Sequence, residues 1–165
     1  MIKKFTFMVN EKSQDVDADP STPLIYVLRN YLGLTGGRYG CGLEQCGSCM
    51  VLIDGEPAYA CNRAMDSIAG REVLTVEGLH NQGHPLFEAI LSEQAGQCGY
   101  CLSGIIINAK ALLDGNSSPS RQEIVVALDK NLCRCGAHVR IIRAVERAAA
   151  AIRGVIRCLN PSLIM

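Results

Sequence analysis

The sequence predicts an α+β chain in two parts, a small mixed β-sheet crossed by one helix and then a bundle of four helices. Short alternating apolar runs separated by turn dipeptides fill the first half. Beyond Pro85 only helical periodicity is found, and the cysteines fall into two sets, one in each half.

The first strand is read over residues 3–9, where Phe5, Phe7 and Val9 share one face. Asn10 and Glu11 make a turn, and "SQDVDA" is the return strand. "STPLIYVLRNYLG" reads as a helix capped by Thr22, with Pro23 in its first turn and Gly33 at its end. Its buried stripe is Leu24, Val27, Leu28 and Leu32. Residues 49–60 form a hairpin around Asp54-Gly55, and "REVLTVEGL" supplies one more strand. The boundary is expected near residues 77–84, dividing the chain into domains over 1–78 and 79–165.

Helical segments follow over roughly 85–95, 102–114, 120–130 and 137–156. The second carries Leu102, Ile106, Ala109 and Leu113 on one face, and the last carries Ile141, Val145, Ala148 and Ile152. Ser120 and Glu123 match a capping box at the start of the third.

Composition limits the function. Hydrophobic residues make up 48% of the chain, which marks a folded globule. Sixteen basic residues balance sixteen acidic ones, so there is no electrostatic case for nucleic acid or an anionic membrane. The start "MIKKFTFMVN" lacks an apolar run long enough for a signal peptide or membrane insertion. A reducing cytoplasm is therefore the expected location, and clustered cysteines there favour metal over disulfides.

The first set reads C-x4-C-x2-C-x11-C through Cys41, Cys46, Cys49 and Cys61. Zinc sites more often pair two C-x2-4-C knuckles, whereas three ligands within nine residues and a fourth beyond a hairpin match plant-type [2Fe–2S] spacing. Such a loop must bring backbone N–H groups close to sulfur, which suits Gly37, Gly40, Gly42 and Gly47. Zinc and disulfides remain the competing readings. The second set, C-x2-C-x31-C-x1-C through Cys98, Cys101, Cys133 and Cys135, is less specific alone. Cys101 and Cys135 each precede an expected helix, however, and two helix N-termini would stabilise an anionic cluster.

The segments "GCGLEQCGSCMVLIDGEPAYAC", "GQCGYCLSGIIINAKALL" and "NLCRCGAHVRIIRAV" resemble the small two-cluster iron–sulfur subunit of the xanthine dehydrogenase/aldehyde oxidoreductase family of molybdenum hydroxylases. The resemblance covers almost the whole chain. It implies a plant-ferredoxin-like β-grasp domain followed by a four-helix bundle, each holding one [2Fe–2S] cluster. The metal ligands it implies are Cys41, Cys46, Cys49 and Cys61 for the first cluster, and Cys98, Cys101, Cys133 and Cys135 for the second. Gln97 and Cys135 match residues that touch the pterin in relatives. The implied partners are a large molybdopterin-binding subunit, with the cytosine dinucleotide form of the cofactor, and an FAD-binding or cytochrome (haem) subunit. Electrons would pass from molybdenum through the bundle cluster and then the β-grasp cluster. The substrate would be an aromatic N-heterocycle or an aldehyde. The chain departs from the common "CTPG" and "CRCTGY" motifs with "CLSG" (Leu102, Ser103, Gly104) and "CRCGAH" (Gly136, Ala137, His138), losing no ligand.

The rival functions are a structural or redox-sensing metal protein and a free-standing ferredoxin, which would need only the first cysteine set. No nucleophile–base pair, phosphate loop or carboxylate pair is present, so the chain alone is not expected to turn over an organic substrate. Cys158 is expected to be a part-buried free thiol. His138 invites a Rieske reading that eight well-spaced cysteines make unnecessary. His80 and His84 are expected to be solvated, Arg134 either to face solvent or to donate hydrogen bonds to a partner subunit or the cluster, and Arg140, Arg143 and Arg147 to form a polar helix face.

Overall fold

The computed structural model describes residues 1–159, with side chains through residue 154. Strands β1 (Lys3–Val9) and β2 (Lys12–Ala18) pair antiparallel with Phe5 opposite Val16. Asn10 and Glu11 between them take φ of 51° and 66°, the left-handed pair that a tight hairpin requires. A second hairpin joins β3 (Met50–Ile53) to β4 (Glu56–Tyr59) through Asp54 and Gly55, again both left-handed. Strand β5 (Glu72–Leu74) lies in the middle, parallel to β1 and antiparallel to β3, so the sheet order is β2-β1-β5-β3-β4.

The first helix departs from expectation. Helix α1 (Leu24–Tyr26) passes directly into a π-helical turn over Val27–Tyr31, with the Leu32 N–H donating to the Val27 carbonyl. Its N-cap is Pro23 rather than Thr22, and no side chain caps it. Leu24, Ile25, Val27 and Leu28 are nonetheless buried, Leu32 is half-buried, and Gly33 ends the element at φ 68°. They pack with Phe5, Phe7, Val9, Val51 and Ile53 into one core on one face of the sheet.

"REVLTVEGL" is the second departure. Only Glu72–Leu74 pairs as strand, and Val76–Asn81 forms helix α2. Asn10 fixes the switch: its side-chain oxygen accepts the Thr75 N–H at 2.9 Å, and its amide donates to the Thr75 hydroxyl at 3.0 Å. The segment where the domain boundary is expected is thus partly helical.

Four helices follow: α3 (Leu86–Ser92), α4 (Leu102–Gly115), α5 (Arg121–Leu128) and α6 (His138–Leu159). The capping box is present, with Ser120 accepting the Glu123 N–H and Glu123 accepting the Ser120 N–H. Ile105, Ile106, Ala109, Leu113, Ile124, Ile141, Ala144, Val145 and Ala148 make a second core. Arg147 reaches Glu93 and Arg140 reaches the Gln94 carbonyl, so the polar face of α6 ties that helix to the end of α3. The side chain of Cys158 lies outside the described residues.

A third, smaller core joins the halves. Strand β3 reads "MVLI" without alternation because both its faces are covered. Val51 and Ile53 face the first core, while Met50 and Leu52 pack against Ile107 of α4. Fully burying a side chain such as Ile107 contributes about 1.5–3 kcal/mol, and here that stabilisation goes into the seam between sheet and bundle.

Candidate metal centre

The loop between the π-turn and β3 carries the first three cysteines. Its near end is fixed by Arg29, whose guanidinium donates to the carbonyls of Thr35 and Gly37, both at 2.7 Å. The Gly36 N–H donates to Glu77 at 2.7 Å, tying the loop to α2. Between these anchors the loop is tightly wound, with Gly42, Glu44 and Gly47 at φ of 69°, 56° and 70°. That winding turns backbone N–H groups inward, making a concavity that favours anions. The Cys41 sulfur accepts from Leu43, Gln45 and Cys46 N–H at 3.3, 3.3 and 3.4 Å, and the Cys46 sulfur accepts from Cys41 N–H at 3.3 Å. A Cβ on Gly40 would stand 2.6 Å from the Cys46 sulfur, so this glycine is needed for close approach. Cys49 and Cys61 flank the β3–β4 hairpin, and the Ala60 N–H donates to the Cys49 carbonyl at 3.3 Å.

The hairpin and the loop together bring Cys41 against Cys46 and Cys49 against Cys61. Their electrostatics differ. Desolvation opposes ionisation of Cys41, yet the three backbone donors bring its thiol down to about 7. Burial pushes the Cys49 thiol up to about 12. A buried thiol of that kind ionises when a metal centre supplies positive charge, because coordination deprotonates it outright.

The second set is built at helix ends. Gly99, at φ 78°, turns the chain between Cys98 and Cys101, and Cys101 is the N-cap residue of α4. Gly136, at φ 72°, turns the chain after Cys135, just ahead of α6. Cys98 meets Cys135 and Cys101 meets Cys133. The backbone N–H of Tyr100 draws the Cys98 thiol down, while burial pushes Cys101 up to about 12. Desolvation works against Cys133, but the Ala137 N–H and other donors leave it lowered. None of these eight cysteines is joined in a disulfide in this structure. The thiols thus approach one another in pairs, and among the described residues no group of three or more stands close enough to hold a single metal ion, a spacing that suits a two-iron cluster better than one zinc ion.

Gln97 is exposed, and its amide donates to the Cys135 carbonyl at 3.4 Å, so these two residues singled out in the sequence meet at the surface. Arg134 is exposed. His80 is exposed with its ring edge-on to Phe87. His84 departs from expectation: it is half-buried, accepts the Leu86 N–H on Nδ1 at 3.2 Å, and desolvation lowers its pKa.

Sequence reasoning missed the contacts between the two sets. The Leu132 N–H donates to the Cys46 carbonyl at 3.0 Å, linking the residue before Cys133 to a cysteine of the other set. Tyr100, between Cys98 and Cys101, donates through its hydroxyl to the Tyr39 carbonyl at 2.5 Å. Asn108 and Asn131 are both buried; Asn108 donates to the Asn131 side-chain oxygen, and Asn131 donates to the Gly47 carbonyl. Asn108 does carry a signal, as an amide within the apolar run "GIIINAKALL".

Fold and site together define a two-domain iron–sulfur protein, a β-grasp sheet followed by a helical bundle. Residues 7–75 match the family described as 2Fe-2S iron-sulfur cluster binding domain, and residues 75–146 match the [2Fe-2S] binding domain family. The chain is 49% identical over 150 residues to one of the subunits of nicotinate dehydrogenase from Pseudomonas putida, covering 90% of this chain and 96% of that one. It is 46% identical to the alpha subunit of isoquinoline 1-oxidoreductase from Brevundimonas diminuta, covering 87% and 95%. Among solved structures, quinoline 2-oxidoreductase from Pseudomonas putida 86 matches with a TM-score of 0.88 and 35% identity, covering 93% of this chain and 97% of that chain. The chain belongs to the family of small iron–sulfur subunits of molybdenum hydroxylases.

Proposed function

We propose that this chain carries electrons from a molybdopterin-binding subunit to a flavin or haem subunit, through two [2Fe–2S] clusters, during hydroxylation of an aromatic N-heterocycle. When bound, each cluster supplies one-electron redox chemistry at its sulfur-ligated irons. Cys41, Cys46, Cys49 and Cys61 of the domain over 1–78 hold one, and Cys98, Cys101, Cys133 and Cys135 of the domain over 79–165 hold the other. The observation that carries this reading is the backbone bond from Leu132 N–H to the Cys46 carbonyl, which joins the two thiol sets directly. A structural metal protein has no need of two ligand sets in hydrogen-bonded contact, whereas an electron carrier does.

The chain's residues divide the work. The loop around Cys41 offers N–H groups to sulfur and so stabilises added negative charge. The N-termini of α4 and α6 do the same for the second set. Gln97 and the Cys135 carbonyl, adjacent at the surface, are the proposed contact for the pterin of the partner, carried there in its cytosine dinucleotide form. The relatives named for nicotinate, isoquinoline and quinoline support an N-heterocycle as substrate class. No helix among the described residues is long and apolar enough to cross a membrane, and the complex is proposed to work in the cytoplasm.

The test is purification of the native complex, identification of its other chains, and assay of iron and acid-labile sulfide. Two [2Fe–2S] clusters require about four irons and four sulfides per copy of this chain. Visible absorption should bleach when an aromatic N-heterocycle is added without an electron acceptor. A colourless zinc protein, or a chain purified without a molybdopterin partner, would overturn the proposal.

A further inference from the structure

Asn131 and Leu132 grip two consecutive carbonyls of the other domain. The Leu132 N–H donates to the Cys46 carbonyl at 3.0 Å, and the Asn131 side-chain amide donates to the Gly47 carbonyl at 3.2 Å. The orientation of Asn131 is fixed in turn by Asn108, whose amide donates to the Asn131 side-chain oxygen at 2.5 Å. Both asparagines are buried, at 3% and 4% exposure. The approach is so close that a Cβ on Gly47 would stand 2.4 Å from the Asn131 amide nitrogen and 2.4 Å from the Lys130 carbonyl oxygen.

A buried amide is costly unless its donors and acceptors are met, and a satisfied buried network rigidifies the groups it joins. This network lies where rigidity has a use beyond stability. Gly47 stands between Cys46 and Cys49, while Asn131 stands two residues before Cys133. Asn108 lies on α4, the helix whose N-cap is Cys101. Thus one pair of amides touches the segments that carry both thiol sets. We infer that Asn131, oriented by Asn108, is a positioning residue that holds the Cys46–Leu132 contact closed and thereby sets the electronic coupling between the two clusters. The inference rests on the two-cluster reading above.

Without the Asn131 amide, Gly47 keeps no donor from that side and the carbonyl ladder is held only by Leu132 N–H. The two ligand loops can then part by a fraction of an ångström, while each keeps its own sulfur environment. Electron transfer between two clusters weakens as their separation grows and as hydrogen-bonded contact between them is lost, so this parting lowers the coupling.

The experiment compares the dithionite-reduced complex carrying wild-type chain, Asn131→Ala or Asn108→Ala, by low-temperature electron paramagnetic resonance. Two reduced clusters held close broaden or split each other's signals. In Asn131→Ala this interaction should shrink while g-values, midpoint potentials and iron content hold. Rapid-freeze samples taken after substrate addition should show slower transfer from the second cluster to the first than in wild type. Asn108→Ala leaves the Asn131 amide present but unsteered, and should give a smaller change in the same direction. It also serves as the test if Asn131→Ala does not fold. Unchanged interaction and unchanged transfer in a variant with full iron would overturn the inference. A wild-type complex with only one cluster per chain would instead overturn the two-cluster reading, and this inference with it.

Discussion

Gly104, in the first turn of α4, packs so tightly on Gly47 that a Cβ added to it would stand 1.8 Å from the Gly47 carbonyl oxygen. A helix ordinarily disfavours glycine, and alanine there would gain about 1 kcal/mol of helix propensity. The contact reverses that preference. The obstacle is backbone in the first cysteine loop, which cannot swing aside as a flexible side chain would.

Gly104→Ala should therefore destabilise the chain. Overpacking of this kind costs about 1–3 kcal/mol, which outweighs the propensity gain. Gly115→Ala, at the end of the same helix with nothing within 4 Å of the added Cβ, is the matched control. Thermal unfolding of the cluster-loaded chain should show a lower midpoint for Gly104→Ala and an equal or higher one for Gly115→Ala. Equal midpoints for Gly104→Ala and wild type would mean the seam is loose enough to absorb a methyl group.

Much of this arrangement could be read from the sequence, for identifiable reasons. The hairpins at Asn10-Glu11 and Asp54-Gly55 and the box at Ser120–Glu123 depend on residues close in sequence, so local chemistry specifies them. The first cysteine set stood out because its spacing matches plant-type [2Fe–2S] sites, whereas the second, less specific in spacing, stood out by the helices that follow it. Helix α2 was not, because "TVEGL" is β-branched at its start and becomes helical only where Asn10, 65 residues away, bonds Thr75. The π-turn after Tyr26 and the partial burial of His84 likewise depend on tertiary packing. So does the Asn108–Asn131 pair, which no periodicity brings together.

The local box has its own prediction. Ser120→Ala removes the acceptor for the Glu123 N–H and should cost about 1 kcal/mol. For a chain of this size that lowers the melting midpoint by about 2–4 °C. Iron content and the visible spectrum should not change, since α5 carries none of the eight thiols.

In the cluster-free chain the thiols should alkylate in a fixed order. Cys41, brought down to about 7 by its backbone donors against desolvation, is half ionised near neutrality. Its rate with iodoacetamide should rise through pH 7 and level off above pH 8. Cys49 and Cys101, pushed up to about 12 by burial, should react only in alkaline solution or after unfolding. The depressed folded value of Cys41 lies below its ordinary 9.0. The stability that this ionisation contributes is therefore fully present above about pH 9 and lost as pH falls through about 7. Mass mapping of labelled peptides across that range checks the order, and Cys49 labelling before Cys41 at pH 7 would contradict it.

Gln97 separates ligand chemistry from docking. It stands beside Cys98 in sequence and reaches the Cys135 carbonyl across the second site, yet it is exposed and is not a thiol. As the proposed hydrogen-bond partner of the pterin, it should matter to the complex and not to cluster assembly. Gln97→Ala should leave about four irons per chain. Losing one hydrogen bond buried on docking costs about 1–3 kcal/mol, equivalent to roughly 5- to 160-fold in the step it supports. Rapid mixing of the whole complex with substrate, following the visible bleach, should show that slowing, while Gln97→Glu should recover little because the donor is still missing. Unchanged bleaching in Gln97→Ala, with the chains still associating normally, would reduce Gln97 to a surface residue that happens to face Cys135. Loss of iron in the same variant would show that it supports the ligand shell itself.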